Sequence, residues 1–374
     1  MNLADMLCFA DIGQLNKIAG NYACDCKSNS KNELIQTILW AMGRRESFDR
    51  AIGELSIEDI RFISTLLFEN KPAYSLEDLI ARAGQCRFDA PSGQGDRSRE
   101  MIAGFMSKGW LFNGVSRHNR FLFQMPDDLK KKACDALVRR FSASLEPAEE
   151  PPAYRDEHLL IADDILHFLR FIDREDVPLT ADGAIYKRVL HHLLDGMAVK
   201  EKPLSGGGWR FGYGRRFREY PERFSLIYDY CYYRDLIREE EGRLTLTELG
   251  RERAQSRRRE DLLQIFKLWV RLYKGAIPNL TALANWVNLL AVRWITLESL
   301  GRCLKPLIKP FYYDTPDSIL EHRVVKMMAH LGLVRLGEHS GLGTVLQVTP
   351  LADSVIRGVR VGDEEIIRLP ERPA

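Results

Sequence analysis

Three times along this chain of 374 residues, amphipathic helical segments give way to short apolar stretches around a polar turn, and then to one more helix. In the first instance Ser56-Ile-Glu-Asp59 and Ser75-Leu-Glu-Asp78 open helices. A hydroxyl there takes an orphan N–H of the first turn, and the acid three residues on reaches back. A third helix over Arg97–Ser107 follows, then Lys108-Gly-Trp-Leu-Phe112, a polar tip Asn113–Arg120 and the return Phe121-Leu-Phe123. Met125-Pro-Asp-Asp128 opens a closing helix that ends near Phe141. In the second instance, helices over Glu157–Ile172, Asp182–Met197 and Pro221–Arg238 lead to a strand Arg243–Thr247, and Thr247 caps a helix Glu248–Gln255. In the third, helices over 260–273, 279–290, 296–308 and 316–331 precede a hairpin of Leu333–Leu336 against Val345–Val348, turning through Glu338–Gly343. Thr349-Pro350 starts the last helix, since proline fits the first helical position. A two-stranded ribbon is marginal in water and must lie on helices. The pattern predicts a mainly α fold with short β-hairpins (α+β).

Length allows two or three compact units at about 150 residues each. Ser142–Tyr154 (SASLEPAEEPPAY) reads as a semi-rigid solvated linker, because prolines and glutamates dominate it. The expected segments are 1–45, 46–145, 155–256 and 257–374. Apolar residues at 45% and charged residues at 28% exclude collagen, long disorder and a simple coiled coil. Lys+Arg is 54 against Asp+Glu 52, so any contact with a polyanion must come from local patches. No apolar run reaches the ~18–20 residues of a membrane helix. The start MNLADMLCFADIGQL has an acid where a secretion signal carries basic residues. Seven cysteines include no pair at zinc-knuckle spacing. These features point to reduced thiols and the cytoplasm, with a redox or metal role for Cys24 and Cys26 as the alternative.

The first 45 residues carry their own pattern. Leu15, Ile18 and Ala19 form an apolar stripe, Asn21–Asn29 is polar, and Ser30 with Glu33 precedes Leu34, Ile35, Ile38 and Leu39. This helix, extended loop and helix resembles the SAP and Rho-N-terminal group of small nucleic-acid-binding modules. The resemblance implies a phosphate contact at Lys31. The three helix–hairpin–helix segments resemble winged helices, with Leu179-Thr180…Gly183 and Leu246-Thr247…Gly250 as strand-into-helix signatures. Together with Gly109-Trp-Leu-Phe112, the whole resembles bacterial proteins that accompany superfamily-two helicases, including the non-motor parts of XPB-like helicases. That resemblance implies a separate partner carrying the ATPase, because no motor motif is present.

The search for catalysis finds no phosphate loop, His-Glu-x-x-His, nucleophile elbow or kinase set. Gly212-Tyr-Gly214 lacks the third glycine and the preceding strand of a dinucleotide loop. Glu69-Asn-Lys71 and Asp128-Leu-Lys130 have a nuclease-like acid-x-Lys form without a companion carboxylate on a preceding strand. His191 and His192 are adjacent on a helix and face different ways, which ill suits one metal. No enzyme and no cofactor are expected.

The stretch Gly206–Arg218 combines arginines, aromatics and glycines with no acid. Arginine pairs bidentately with phosphate, aromatics stack on bases, and glycine admits a close backbone. Arg210, Arg215, Arg216 and Arg218 are therefore candidate nucleic-acid contacts. The competing reading is a loop whose aromatics plug the core while its arginines pair with Glu219, Glu222 or Asp229. Arg117 and Arg120, on the tip of the first hairpin, are candidates for sequence-independent backbone contact. Lys130-Lys-Lys132 and Arg257-Arg-Arg259 are further basic runs. The expected function is a non-catalytic nucleic-acid-binding accessory, with DNA preferred over RNA. A protein–protein scaffold and a sequence-reading transcription regulator are the alternatives.

Overall fold

Side-chain caps fix helix starts where the sequence places them. In the computed structural model, which describes residues 1–22, 29–69, 71–88, 95–204, 211–358 and 367, Asn2–Asp5, Ser56–Asp59 and Ser75–Asp78 form reciprocal capping boxes. Ser30 Oγ accepts the Glu33 N–H. The fold is mainly helical with small antiparallel sheets. Its residues divide into two compact units, Met1–Ser144 and Leu145–Ala374. No helix among the described residues is long and apolar enough to cross a membrane.

The first unit runs α1 (Leu3–Phe9), α2 (Ile12–Asn21), α3 (Lys31–Gly43), α4 (Arg45–Gly53), α5 (Ile57–Phe68), α6 (Leu76–Gln85) and α7 (Gly95–Ser107). The hairpin β1 (Phe112–Asn113) and β2 (Phe123–Gln124) follows, then α8 (Asp127–Ser142). Tyr74, between α5 and α6, forms an isolated backbone bridge with Phe123 beside the hairpin. Trp110 is fully buried between Phe48 and Phe105, at ring distances of 5.6 and 5.7 Å. Its indole N–H donates to the Tyr22 hydroxyl at 2.8 Å. Asn21 donates to the Ser107 carbonyl, and the Leu3 N–H donates to Asp128. These ties make the expected module 1–45 part of one body with the segment that follows it. The loop joining α2 to α3, with Cys24 and Cys26, lies outside the described residues.

The second unit opens with β3 (Tyr154–Arg155), α9 (Leu160–Arg174), α10 (Lys187–Gly196) and α11 (Glu222–Tyr233). The hairpin β4 (Ile237–Glu240) and β5 (Arg243–Leu246) leads to α12 (Glu248–Ser256). Then come α13 (Leu262–Tyr273), α14 (Leu280–Leu290), β6 (Ile295–Thr296) and α15 (Leu297–Leu304). One continuous helical run combines α16 (Pro316–Ser318), a π-helical stretch Ile319–Val325 and α17 (Lys326–His330). It ends in β7 (Val334–His339), β8 (Gly343–Val348) and α18 (Leu351–Gly358). The larger sheet has the order β3-β7-β8-β6, all antiparallel, with Val334 opposite Val348 and Ile295 opposite Leu346. Pro178 likewise forms an isolated bridge with Arg243 beside the β4–β5 hairpin. Gly332 ends the long helical run at φ +68, and a Cβ there would overlap the His158 carbonyl, so only glycine fits.

Three expectations change. The proline-rich segment is not a solvated linker along its length, because Pro147 bridges Ile295 and Tyr154–Arg155 adds an edge strand to β7. Proline is tolerated at a sheet edge, where no ladder bond is lost. The helix expected over Pro221–Arg238 stops at Tyr233, where the Leu236 N–H turns back to the Cys231 carbonyl and Ile237 enters β4. The helix expected from Asp182 starts at Lys187, because Leu179 and Ile185 pair across a tight turn.

The segments 155–256 and 257–374 share one buried polar core. Arg223 on α11 has no exposed surface. Its Nε donates to Glu157 at 2.8 Å, and another of its nitrogens lies 2.6 Å from Asp164. His330 on α17 meets the same Glu157 at 3.0 Å. Burial alone raises the Glu157 carboxyl, but the His330 hydrogen bond and the charges of His330 and Arg223 hold it below the usual range. Arg223→Ala would leave Asp164 buried without its cation and would take one of three cations from Glu157, which keeps His330 and Arg155. It is expected to destabilise this unit by about 3–5 kcal/mol, with Arg223→Met losing less, as measured by urea unfolding.

Candidate nucleic-acid interface

The tip joining β1 to β2 is a tight polar turn. Asn119 Oδ1 accepts the Ser116 N–H at 2.7 Å and its hydroxyl at 2.9 Å, while the Gly114 N–H donates to the Leu122 carbonyl. The turn is thus held by its own side chains, and Arg117, His118 and Arg120 are left exposed. Among the described residues no carboxylate lies in ion-pair reach of Arg117 or Arg120. The Arg120 guanidinium sits 4.5 Å from the ring of Phe121, which is itself 68% exposed. A cation beside an exposed aromatic offers both a phosphate partner and a stacking face. The preceding helix α7 buries Ser98, Ile102 and Phe105 and turns Arg97, Arg99 and Glu100 outward.

Lys31 does not project freely. Its ammonium donates to the Cys8 carbonyl at 2.7 Å and closes the last turn of α1. A second exposed aromatic–arginine pair lies on α3, where Arg44 sits 4.8 Å from Trp40, 64% exposed. Sequence reasoning missed this pair. Trp40 falls outside the stripe Leu34, Ile35 and Ile38, and that off-stripe position was the available signal.

The loop before α11 behaves differently. Arg210 lies outside the described residues. Arg216 is only 4% exposed, with one nitrogen on the Asp182 carbonyl at 2.6 Å and another on Glu239 at 2.9 Å. Arg215 also reaches Glu239 at 2.9 Å and lies over the Tyr232 ring at 4.0 Å. Tyr228 donates a third bond to Glu239 at 2.6 Å. Burial would raise the Glu239 carboxyl, but the hydrogen bonds from Arg215 and Tyr228 and the Arg216 charge hold it below the usual range. These two guanidiniums are therefore committed to a carboxylate inside the unit, contrary to the expectation of a phosphate grip there. The two arginines pair inside the unit, as the core-plug alternative expected, but with Glu239 and not with Glu219, Glu222 or Asp229; only the backbone N–H of Arg215 meets Asp229. Of that set, Arg218 is exposed.

Helix exposure separates the three helix–hairpin units. In the second unit α11 is buried from Arg223 through Cys231. The corresponding run 316–330 buries Ile319, Leu320, Val324 and Val325, among others. The two helices join through ion pairs: Arg323 with Glu222 at 3.1 Å, and Lys326 with Glu222 at 2.7 Å. Neither can enter a groove. The β4–β5 tip carries exposed Glu240 and Glu241, which phosphate would repel.

The residues of the nuclease-like tripeptides are also engaged. Glu69 pairs with Arg82, Lys71 with Asp78, and Asp128 accepts the Leu3 N–H. His191 pairs with Asp195 while His192 packs on Phe171, so the two imidazoles point apart. Arg259 pairs with Asp163, and Lys130 lies 3.8 Å from Asp127. Compared with family models, curated proteins and solved structures, the chain matches none.

Asp229, beneath Arg215, is fully buried and accepts that residue's N–H at 3.1 Å. Gly214 lets the loop approach it at φ +108, where a Cβ would strike the carboxylate. Burial pushes the Asp229 carboxyl up to about 7. A raised folded-state value means stability present at low pH and lost as pH rises toward and through 7. Asp229→Asn is therefore expected to gain stability over the native chain progressively between about pH 4 and pH 7 and to hold that gain at higher pH. Urea midpoints across that range check the slope.

Proposed function

We propose that the protein is a non-catalytic nucleic-acid-binding accessory whose first unit grips the phosphate backbone, with DNA as the preferred ligand. In this reading each helix–hairpin–helix set is a winged-helix-like module. The support is the backbone bridge to the hairpin in each set: isolated bridges Tyr74–Phe123 and Pro178–Arg243, and the strand β6 with Ile295 opposite Leu346. A motor, if the pathway needs one, comes from a partner chain such as a superfamily-two helicase.

The observation that carries the proposal is the pair Arg117 and Arg120, exposed on a self-braced turn and without a carboxylate partner among the described residues. An outward α7 face precedes it. Backbone contacts of this kind position a protein without reading sequence. The buried third helices and acidic β4–β5 tip favour a docking role for the second unit, so the scaffold reading survives for that half of the chain.

Arg117→Ala/Arg120→Ala is expected to weaken binding to random duplex DNA and to reduce the log–log salt slope by about two, at ~0.9 per phosphate contact. Melting temperature should stay near the native value, because both side chains are exposed. Fluorescence anisotropy over a salt series makes the measurement. An unchanged slope would count against the hairpin as the gripping element.

A further inference from the structure

One exposed aromatic patch in the second unit lies outside everything described so far. Phe311 and Asp314 exchange both backbone hydrogen bonds, so Tyr312 and Tyr313 form the tip of a two-residue turn. Tyr312 is 80% exposed and Tyr313 71%. Tyr312 holds φ +49, a left-handed conformation that a bulky aromatic rarely adopts. Such strain persists only where the surroundings over-determine it.

The base of the turn supplies that determination. Asp314 is buried and accepts from Arg323 Nε at 2.9 Å, from the Tyr213 hydroxyl at 2.9 Å and from the Ser318 hydroxyl at 3.0 Å. The two tyrosines are therefore held outward by a saturated buried carboxylate. Phe211 extends the row, its ring 5.6 Å from Tyr313.

Charge selects the occupant. Lys309 is exposed three residues before Tyr312, and among the described residues no carboxylate pairs with it. Three acids of this region carry cation partners: Asp314 as above, Glu222 by Arg323 and Lys326, and Asp317 by Lys305. The patch therefore offers aromatic surface and one uncompensated cation. Bases of a single strand expose π-faces next to phosphates, whereas duplex bases are already stacked.

We infer that the Tyr312–Tyr313 turn is a stacking site for unpaired bases of single-stranded nucleic acid. This deepens the nucleic-acid reading above and rests on it, but adds a second kind of contact on a different unit.

The test uses the full chain, a fluorescein-labelled oligothymidylate of about twenty nucleotides and a duplex of equal length, read by anisotropy. Tyr312→Ala/Tyr313→Ala is expected to weaken oligothymidylate binding about tenfold or more, while Tyr312→Phe/Tyr313→Phe keeps it within about twofold. Duplex affinity should be the same in all three chains. Tyr312→Gly serves as the folding control: glycine accepts the positive φ, so its melting temperature should be at or above the native value while oligothymidylate binding falls. Native-level oligothymidylate binding by the double alanine variant overturns the inference, as does a native chain that binds duplex alone. In both cases the backbone-gripping proposal stands. A native chain that binds oligothymidylate but not duplex, with that binding lost in the double alanine variant, upholds this site and overturns the hairpin proposal. Binding to neither overturns both.

Discussion

A guanidinium keeps its charge when buried, so the fold tolerates one with no exposed surface only where carboxylates stand within hydrogen-bond reach. The second unit is organised around that requirement. Arg223 is held by Glu157 and Asp164, Arg216 and Arg215 by Glu239, and Arg323 by Asp314 and Glu222. The three clusters tie together residues far apart in sequence. Glu157 and His330 come from opposite ends of the unit, and Glu222 joins α11 to the run 316–330. Removing one partner from such a cluster leaves an isolated charge in a poorly solvated interior, which is why these arginines are structural.

That same chemistry allocates function by subtraction. An arginine with a buried carboxylate partner has no edge left for phosphate. Arg117 and Arg120 stand on a turn that braces itself with Asn119, so the fold makes no demand on their charge. The contrast extends to the helices. Helix α7 buries one face only, whereas α11 and the run 316–330 bury their faces against the rest of their unit and join through Glu222. Similar local patterns thus end in different surfaces.

Much of the helical layout was legible because capping and periodicity are local. Ser56–Asp59 and Ser75–Asp78 announce their helices within four residues, and the expected hairpin Leu333–Leu336 with Val345–Val348 overlaps β7 and β8, which run further into the expected turn. Boundaries failed where the signal was non-local. Tyr232 to Arg238 continues a helical composition, yet Ile237 leaves the helix because Leu246 pairs with it. The prolines after Ser142 look like a linker, yet Tyr154 finds a strand partner in Gly337, far along the chain.

The candidate site was legible in part. The Arg117–Arg120 tip follows from a polar turn between aromatic strands, which sequence order alone supplies. The fate of Arg215 and Arg216 does not, because their composition is equally apt for phosphate and for a carboxylate. The Tyr312–Tyr313 turn gave no pattern at all, since its exposure depends on Asp314 being fixed from below by Arg323 and Tyr213. By itself, the sequence determined a mainly helical chain with short hairpins, the helix starts, and a basic first hairpin tip, because caps, periodicity and turn chemistry act over a few residues. Only the tertiary structure decided which arginines are spent inside and which aromatics are held out, because charge pairing and burial are set by neighbours on other elements, such as Glu239 for Arg216 and Tyr213 for Asp314.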